Sequence, residues 1–140
     1  MTIKFNSLVL VIFCFTSLSM QWRGSTSIPK SVVGKWNVLK FYSASANSLT
    51  NKKIATIQID PDGMTTGFIG CNRIRTTCRV DEDRIQFGTI LSTRKFCEEA
   101  FMNLEDHMKE TLTNANHYRM NNNLLTLYSG KKKLVTFSKE

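Results

Sequence analysis

The chain has 140 residues, 41% of them hydrophobic and 21% charged. That length supports one domain with a real core and leaves no room for a second catalytic domain. The formal charge of +8 directs any long-range attraction toward anionic partners.

The N-terminus reads "MTIKFNSLVLVIFCFTSLSMQW", with Lys4, an apolar run from Leu8 to Phe15, and small residues at Ser17 and Ser19. This is the layout of a secretory signal peptide over residues 1–19, with cleavage before Met20. The run is too short for a membrane span, which takes ~20 apolar residues. Phe13 precedes Cys14 where a lipid-anchor site wants a small residue, so lipidation at Cys14 is not expected. Removing the leader lowers the formal +8 by one and leaves Cys71, Cys78 and Cys97. An odd set of cysteines outside the cytosol allows one bridge and one leftover thiol. Residues 20–33, "MQWRGSTSIPKSVV", are polar and hold Gly24 and Pro29, and they read as a mobile lead-in to a domain over 34–140.

"GKWNVLKFYS" alternates with period two and reads as a strand. "KKIATIQID" sets Ile57 and Ile59 on one side, and "DPDG" at 60–63 follows with Pro and Gly where a type I turn wants them. "MTTGFIG" then returns antiparallel. In "RIRTTCRV", Ile74, Thr76, Cys78 and Val80 share one face and Arg73, Arg75, Thr77 and Arg79 the other, so one face is buried and the other wet. After "DED", Ile85 and Phe87 mark another strand.

The period then changes. Cys97, Phe101, Leu104, Met108 and Leu112 fall at helical spacing, with Glu98 and Glu99 suited to the positive end of the dipole and Thr113 and Asn114 ending the helix. No capping box marks its start. "HYRM", "LLTLYS" and "KLVTFS" follow as three short strands separated by "NNN" and "GKK" turns. The fold class is mainly β (α+β): a small antiparallel barrel-like sheet of seven or eight strands with one inserted helix.

"VVGKWNV", "GFIGCNR", "ILSTRKFC" and "LLTLYSGKKKLVTF" together resemble the META domain family, which includes the HslJ heat-shock protein. The resemblance covers residues 32–138. It implies a compact β-barrel-like fold with one helix, in exported or envelope-associated proteins linked to stress or virulence, with no catalytic activity established. Its motif falls here on Gly70, Cys71, Asn72, Thr93 and Cys97. Cys78 departs from the pattern, standing where Tyr is more usual. A Cys71–Cys97 bridge agrees with the motif, and 71–78 or 78–97 pairing is the alternative. Gly67, Gly70 and Asn72 suit a sharp reversal between strands.

A metal site would need His107 or His117 beside the cysteines, and the spacing matches no zinc pattern. Cys97 and His107 stand ten residues apart, about 15 Å along a helix, too far for a nucleophile and its base. No Ser/His/Asp elbow, carboxylate pair or phosphate loop is present. The chain therefore reads as non-enzymatic, without cofactor or metal. Met102, Met108 and Met120 read as core filling. Arg73, Arg75 and Arg79 on one strand face, with Lys131, Lys132 and Lys133 on a hairpin, form a candidate basic patch for an anionic surface. Such charges also protect exposed strands from aggregation. Trp36, Phe68 and Phe87 read as core, and export removes the usual nucleic-acid target, so nucleic acid is not expected as a partner. The reading is an exported stress- or envelope-related structural or interaction module, periplasmic, envelope-bound or secreted, and monomeric, with an unknown protein or envelope component as its partner. A lipocalin-like carrier of small molecules, or a module docking on anionic envelope surfaces, is the alternative.

Overall fold

The computed structural model of the protein describes residues 27–43 and 55–140. The expected signal peptide, Cys14, and the lead-in as far as residue 26 lie outside the described residues. Nine strands and one helix follow in the order β1 (Gly34–Phe41), β2 (Ala55–Ile59), β3 (Met64–Ile69), β4 (Arg73–Asp81), β5 (Arg84–Phe87), β6 (Leu91–Ser92), α1 (Glu99–Asn114), β7 (His117–Asn121), β8 (Leu124–Ser129) and β9 (Lys132–Lys139).

The strands are hydrogen-bonded in the order β3-β2-β1-β9-β8-β7-β5-β4-β6, and a further β3–β4 pairing closes the sheet into an antiparallel barrel. Closure removes the free edges that an open sheet would present. β6 is the exception, a two-residue strand laid against the first part of β4 through Ile74↔Ser92 and Arg75↔Leu91. The β2–β3 turn is closed by a 2.9 Å bond from the Gly63 amide to the Asp60 carbonyl, as the "DPDG" sequence asks.

Alternation puts Trp36, Ile57, Ile59, Ile69, Leu125, Leu127, Val135 and Phe137 inside, each fully buried. Trp36 satisfies its indole N–H on the Val32 carbonyl at 2.8 Å, which a buried donor requires. On β4 the pattern is strict: Ile74, Thr76, Cys78 and Val80 are buried while Arg73, Arg75, Thr77 and Arg79 face solvent.

The lead-in and Phe68 depart from expectation. Core packing begins before residue 34, since Ile28 and Val32 are 7% and 0% exposed and the Ile28 amide bonds Pro61 O at 3.2 Å. These two side chains lie four residues apart across one turn, so a largely polar stretch still contributes apolar anchors. Phe68 is not core. It lies 41% exposed beside Arg73, its registered partner on β4, because Thr65 and Ile69 occupy the inward positions of β3.

Helix α1 packs against β3 and β5 and buries Leu104, Met108 and Leu112 of its predicted stripe. Cys97 falls two residues before the helix rather than inside it. Glu98 occupies the N-cap position without a side-chain cap, and Glu99 supplies the acidic residue of the first turn.

Candidate functional site

The "GCN" motif forms the reversal between β3 and β4. Gly70 has φ +92°, and a Cβ there would lie 2.9 Å from the Phe101 carbonyl oxygen, so glycine both turns the chain and lets α1 approach. Cys71 is joined to Cys97 across a separation of 26 residues, with the Cα atoms 6.0 Å apart. Cys78 stays a free, buried thiol on the inner face of β4. Burial pushes it up to about 12, because an unpaired thiolate is poorly tolerated away from water.

Asn72, 2% exposed, holds the segment that follows β6. Its Oδ1 accepts from Thr93 Oγ1 at 2.7 Å and from the Lys95 amide at 2.8 Å, while its Nδ2 donates to the Lys95 carbonyl at 3.1 Å. The neighbouring Arg73 amide donates to Thr93 Oγ1 at 3.2 Å, and the Thr93 amide to Arg73 O at 3.0 Å. Residues 93, 95 and 97 are thus all tied to positions 71–73, by hydrogen bonds at the first two and by sulfur at the third. The intervening Arg94 and Phe96 are left outside, and Phe96 is 97% exposed. The family-motif residues Gly70, Cys71, Asn72, Thr93 and Cys97 are brought together here as one clasp.

Beneath the clasp sits Glu105, 2% exposed. Asn72 Nδ2 donates to Glu105 Oε2 at 2.7 Å, Ser92 Oγ to Oε1 at 3.1 Å, and Lys109 pairs with it one helical turn on. Burial alone would push this carboxyl up. The hydrogen bonds from Lys109, Asn72 and Ser92, together with the Lys109 charge, outweigh that and hold it below the ordinary carboxylate range. The side chains of the clasp are therefore satisfied by one another.

Glu105 and Phe96 were not singled out by sequence. The signal for Glu105 is its spacing, four residues after Phe101 and three before Met108, which places a carboxylate on the apolar stripe. The clasp borders an open groove of about 530 Å³, lined among others by Leu91, Arg94, Phe96 and Met102. Met108 is core, whereas Met102 and Met120 are half-buried.

The expected basic patch divides in two. Arg73, Arg75 and Arg79 face outward on β4, while Lys131 lies in the β8–β9 turn and Lys132 and Lys133 begin β9. The strand order puts β4 and β9 four strands apart in either direction round the barrel, so the two groups occupy opposite sides. Lys133 and Lys40 sit over the Tyr42 ring, with their ammonium groups 5.4 and 5.2 Å from its centroid. His107 is hydrogen-bonded to Ser43 at 2.8 Å and packs edge-on to Phe41, while Cys97 is held by its disulfide. Among the described residues no group of three or more His, Cys, Asp or Glu side chains converges as metal ligands do.

A closed antiparallel barrel with one helix clasped to it through sulfur and a buried Asn–Glu contact defines the class. The family model of the META domain matches residues 30–140, and the chain belongs to that family. Its fold is similar to a DUF4847 family protein from Bacteroides vulgatus, at 22% identity and TM-score 0.57 over 76% of this chain and 92% of that one. It is likewise similar to a protein from Burkholderia xenovorans, at 19% identity and TM-score 0.54 over 77% and 79%. A third solved chain, of known NMR structure, aligns at 18% identity and TM-score 0.59 over 76% and 88%. No curated protein sequence matches.

Proposed function

We propose that the protein is an exported, non-enzymatic interaction module acting in the stress or envelope context that the family resemblance implies, and that it binds through the face around the clasp. The observation that carries this reading is Phe96, 97% exposed on a segment tied down at residues 93, 95 and 97. A large apolar side chain fixed in water by its own backbone's anchors is suited to a partner. Export is supported by the disulfide, which an oxidising compartment preserves. The non-enzymatic part rests on the clasp's polar side chains being engaged with each other, with Asn72 and Glu105 buried. A carrier function is disfavoured by the barrel interior, filled by Trp36, Leu125 and Phe137 at 0% exposure.

The test places a photo-crosslinking amino acid at Phe96 or, as control, at Lys131 on the far side of the barrel, in the protein's source cells. Adducts formed at 96 and not at 131 are expected. Equal labelling, or none at 96, would overturn the assignment of this face.

A further inference from the structure

We infer that the face formed by β3, β4, β6 and the clasped segment docks on an anionic phospholipid bilayer, an inference that rests on the reading of this face as the binding surface. Pairing register assembles the face. Phe68 stands beside Arg73, and Arg75 lies between Thr66 on one side and Leu91 on the other. All of these side chains point away from the barrel interior, and Phe68, Leu91 and Phe96 are 41%, 64% and 97% exposed. Arg94 and Lys95 flank Phe96 on its N-terminal side and are exposed as well.

The cations of this face lack carboxylate partners. Among the described residues the ion pairs are Lys35–Glu140 and Lys109–Glu105, so no carboxylate competes with an external anion for Arg73, Arg75, Arg79, Arg94 or Lys95. Arg75 Nε donates to Met64 Sδ at 3.1 Å, which leaves its terminal N–H groups for the anion. Outward positions from Arg73 to Arg79 carry no acid, and Asp81 is the first on β4. The acids nearest in sequence to Phe96, Glu98 and Glu99, belong to the start of α1 rather than to the strand face.

Charge complementarity selects an anionic partner, and the apolar residues select its type. A polysaccharide or polyphosphate would neutralise the arginines but leave Phe68, Leu91 and Phe96 in water. A bilayer interface accepts both kinds of group in one plane: phosphates for the guanidinium groups, and the headgroup–acyl boundary for the rings and the leucine. The outside of a barrel is convex and Phe96 projects from it, which suits a flat, deformable surface. The clasp lowers the ordering cost, since the segment bearing Phe96 is already fixed before contact.

The experiment is co-sedimentation of the mature protein with vesicles of about one part phosphatidylglycerol to two parts phosphatidylcholine, against vesicles of phosphatidylcholine alone. Binding to the anionic vesicles only is expected, falling steeply between about 0.05 M and about 0.5 M salt. Arg73→Gln with Arg75→Gln should weaken it about thirtyfold, from ~1 kcal/mol per basic residue at such a surface. Phe96→Ala with Leu91→Ala should weaken it about tenfold or more. These side chains are exposed, and unchanged circular dichroism will establish that each variant is folded. A second readout is Phe96→Trp, whose fluorescence should shift to the blue on anionic vesicles. Absence of sedimentation, sedimentation without the blue shift, or indifference to Phe96→Ala with Leu91→Ala would overturn the inference. Crosslinks from position 96 to an acidic protein, with no vesicle binding, would overturn the bilayer and leave the interaction face standing.

Discussion

Asn72 and Glu105 meet through a 2.7 Å hydrogen bond, and both are buried to 2% exposure. One belongs to the turn between β3 and β4 and the other to α1, so this contact joins the barrel to its helix. It also sets the amide of Asn72 so that its oxygen faces Thr93 and the Lys95 amide.

Substituting Asn72 tests that coupling. Asn72→Ala removes donors and acceptors together and leaves the Glu105 carboxylate short of one partner in a buried site, at a cost of about 2–4 kcal/mol. Asn72→Asp should be worse despite its matching shape, because it sets a second carboxylate against Glu105. Urea denaturation will rank the variants, and an aspartate variant as stable as the alanine variant would show that the two groups are not in contact.

Acid should weaken the same contact. The Glu105 carboxyl is held below its ordinary value of 4.5 in the folded protein. Its contribution is therefore complete above that pH and is lost as pH falls from 4.5 through the lower folded value. Unfolding free energies of the protein and Glu105→Gln should differ most at neutral pH and converge in acid. A difference that stays constant down to about pH 2 would be inconsistent with this linkage.

The Cys71–Cys97 bridge encloses a separation of 26 residues, for which loop-closure entropy gives about 3.5 kcal/mol of stabilisation. Cys71→Ser with Cys97→Ser should lower stability by roughly that amount. Non-reducing peptide mapping of the intact protein should recover 71 linked to 97, and a linked 78 would contradict the arrangement.

Cys78 should resist alkylation in the native state at mildly alkaline pH and react on unfolding. Its folded value is raised from 9.0 to about 12, so its contribution is present below pH 9 and is lost as pH rises through that interval. Mass spectrometry after iodoacetamide treatment, with and without denaturant, reads this directly. Rapid native labelling would place the thiol at the surface.

Gly70→Ala should destabilise the fold by about 1–3 kcal/mol. Its φ of +92° disfavours a side chain, and the added Cβ would meet the Phe101 carbonyl at 2.9 Å. Gly130→Ala is the control, for although its φ is +57° nothing lies within 4 Å of the position. A smaller loss at 70 than at 130 would remove the close approach of α1 as the reason for glycine.

Much of the fold was legible because alternation is local. β4 shows its two faces in the sequence itself, and the stripe Phe101, Leu104, Met108 and Leu112 announces α1. β6 was not legible, since two residues cannot display a period and the strand exists only by pairing with β4. Phe68 was misplaced because the inward position at Thr65 is polar, its hydroxyl donating to Gly63 O at 3.3 Å, which hides the true phase of β3. Glu105 required tertiary knowledge of another kind. A carboxylate on an apolar stripe is tolerated only if donors arrive from elsewhere, and Asn72 and Ser92 reach it from distant points of the chain.

Anchors at residues 93, 95 and 97, on either side of Phe96, should make the segment that carries it rigid. Backbone ¹⁵N relaxation at the Phe96 amide tests this most directly. An order parameter near 0.85, matching α1 and β4, is expected, falling when Asn72 or the disulfide is removed; a value below about 0.6 in the intact protein would contradict the claim.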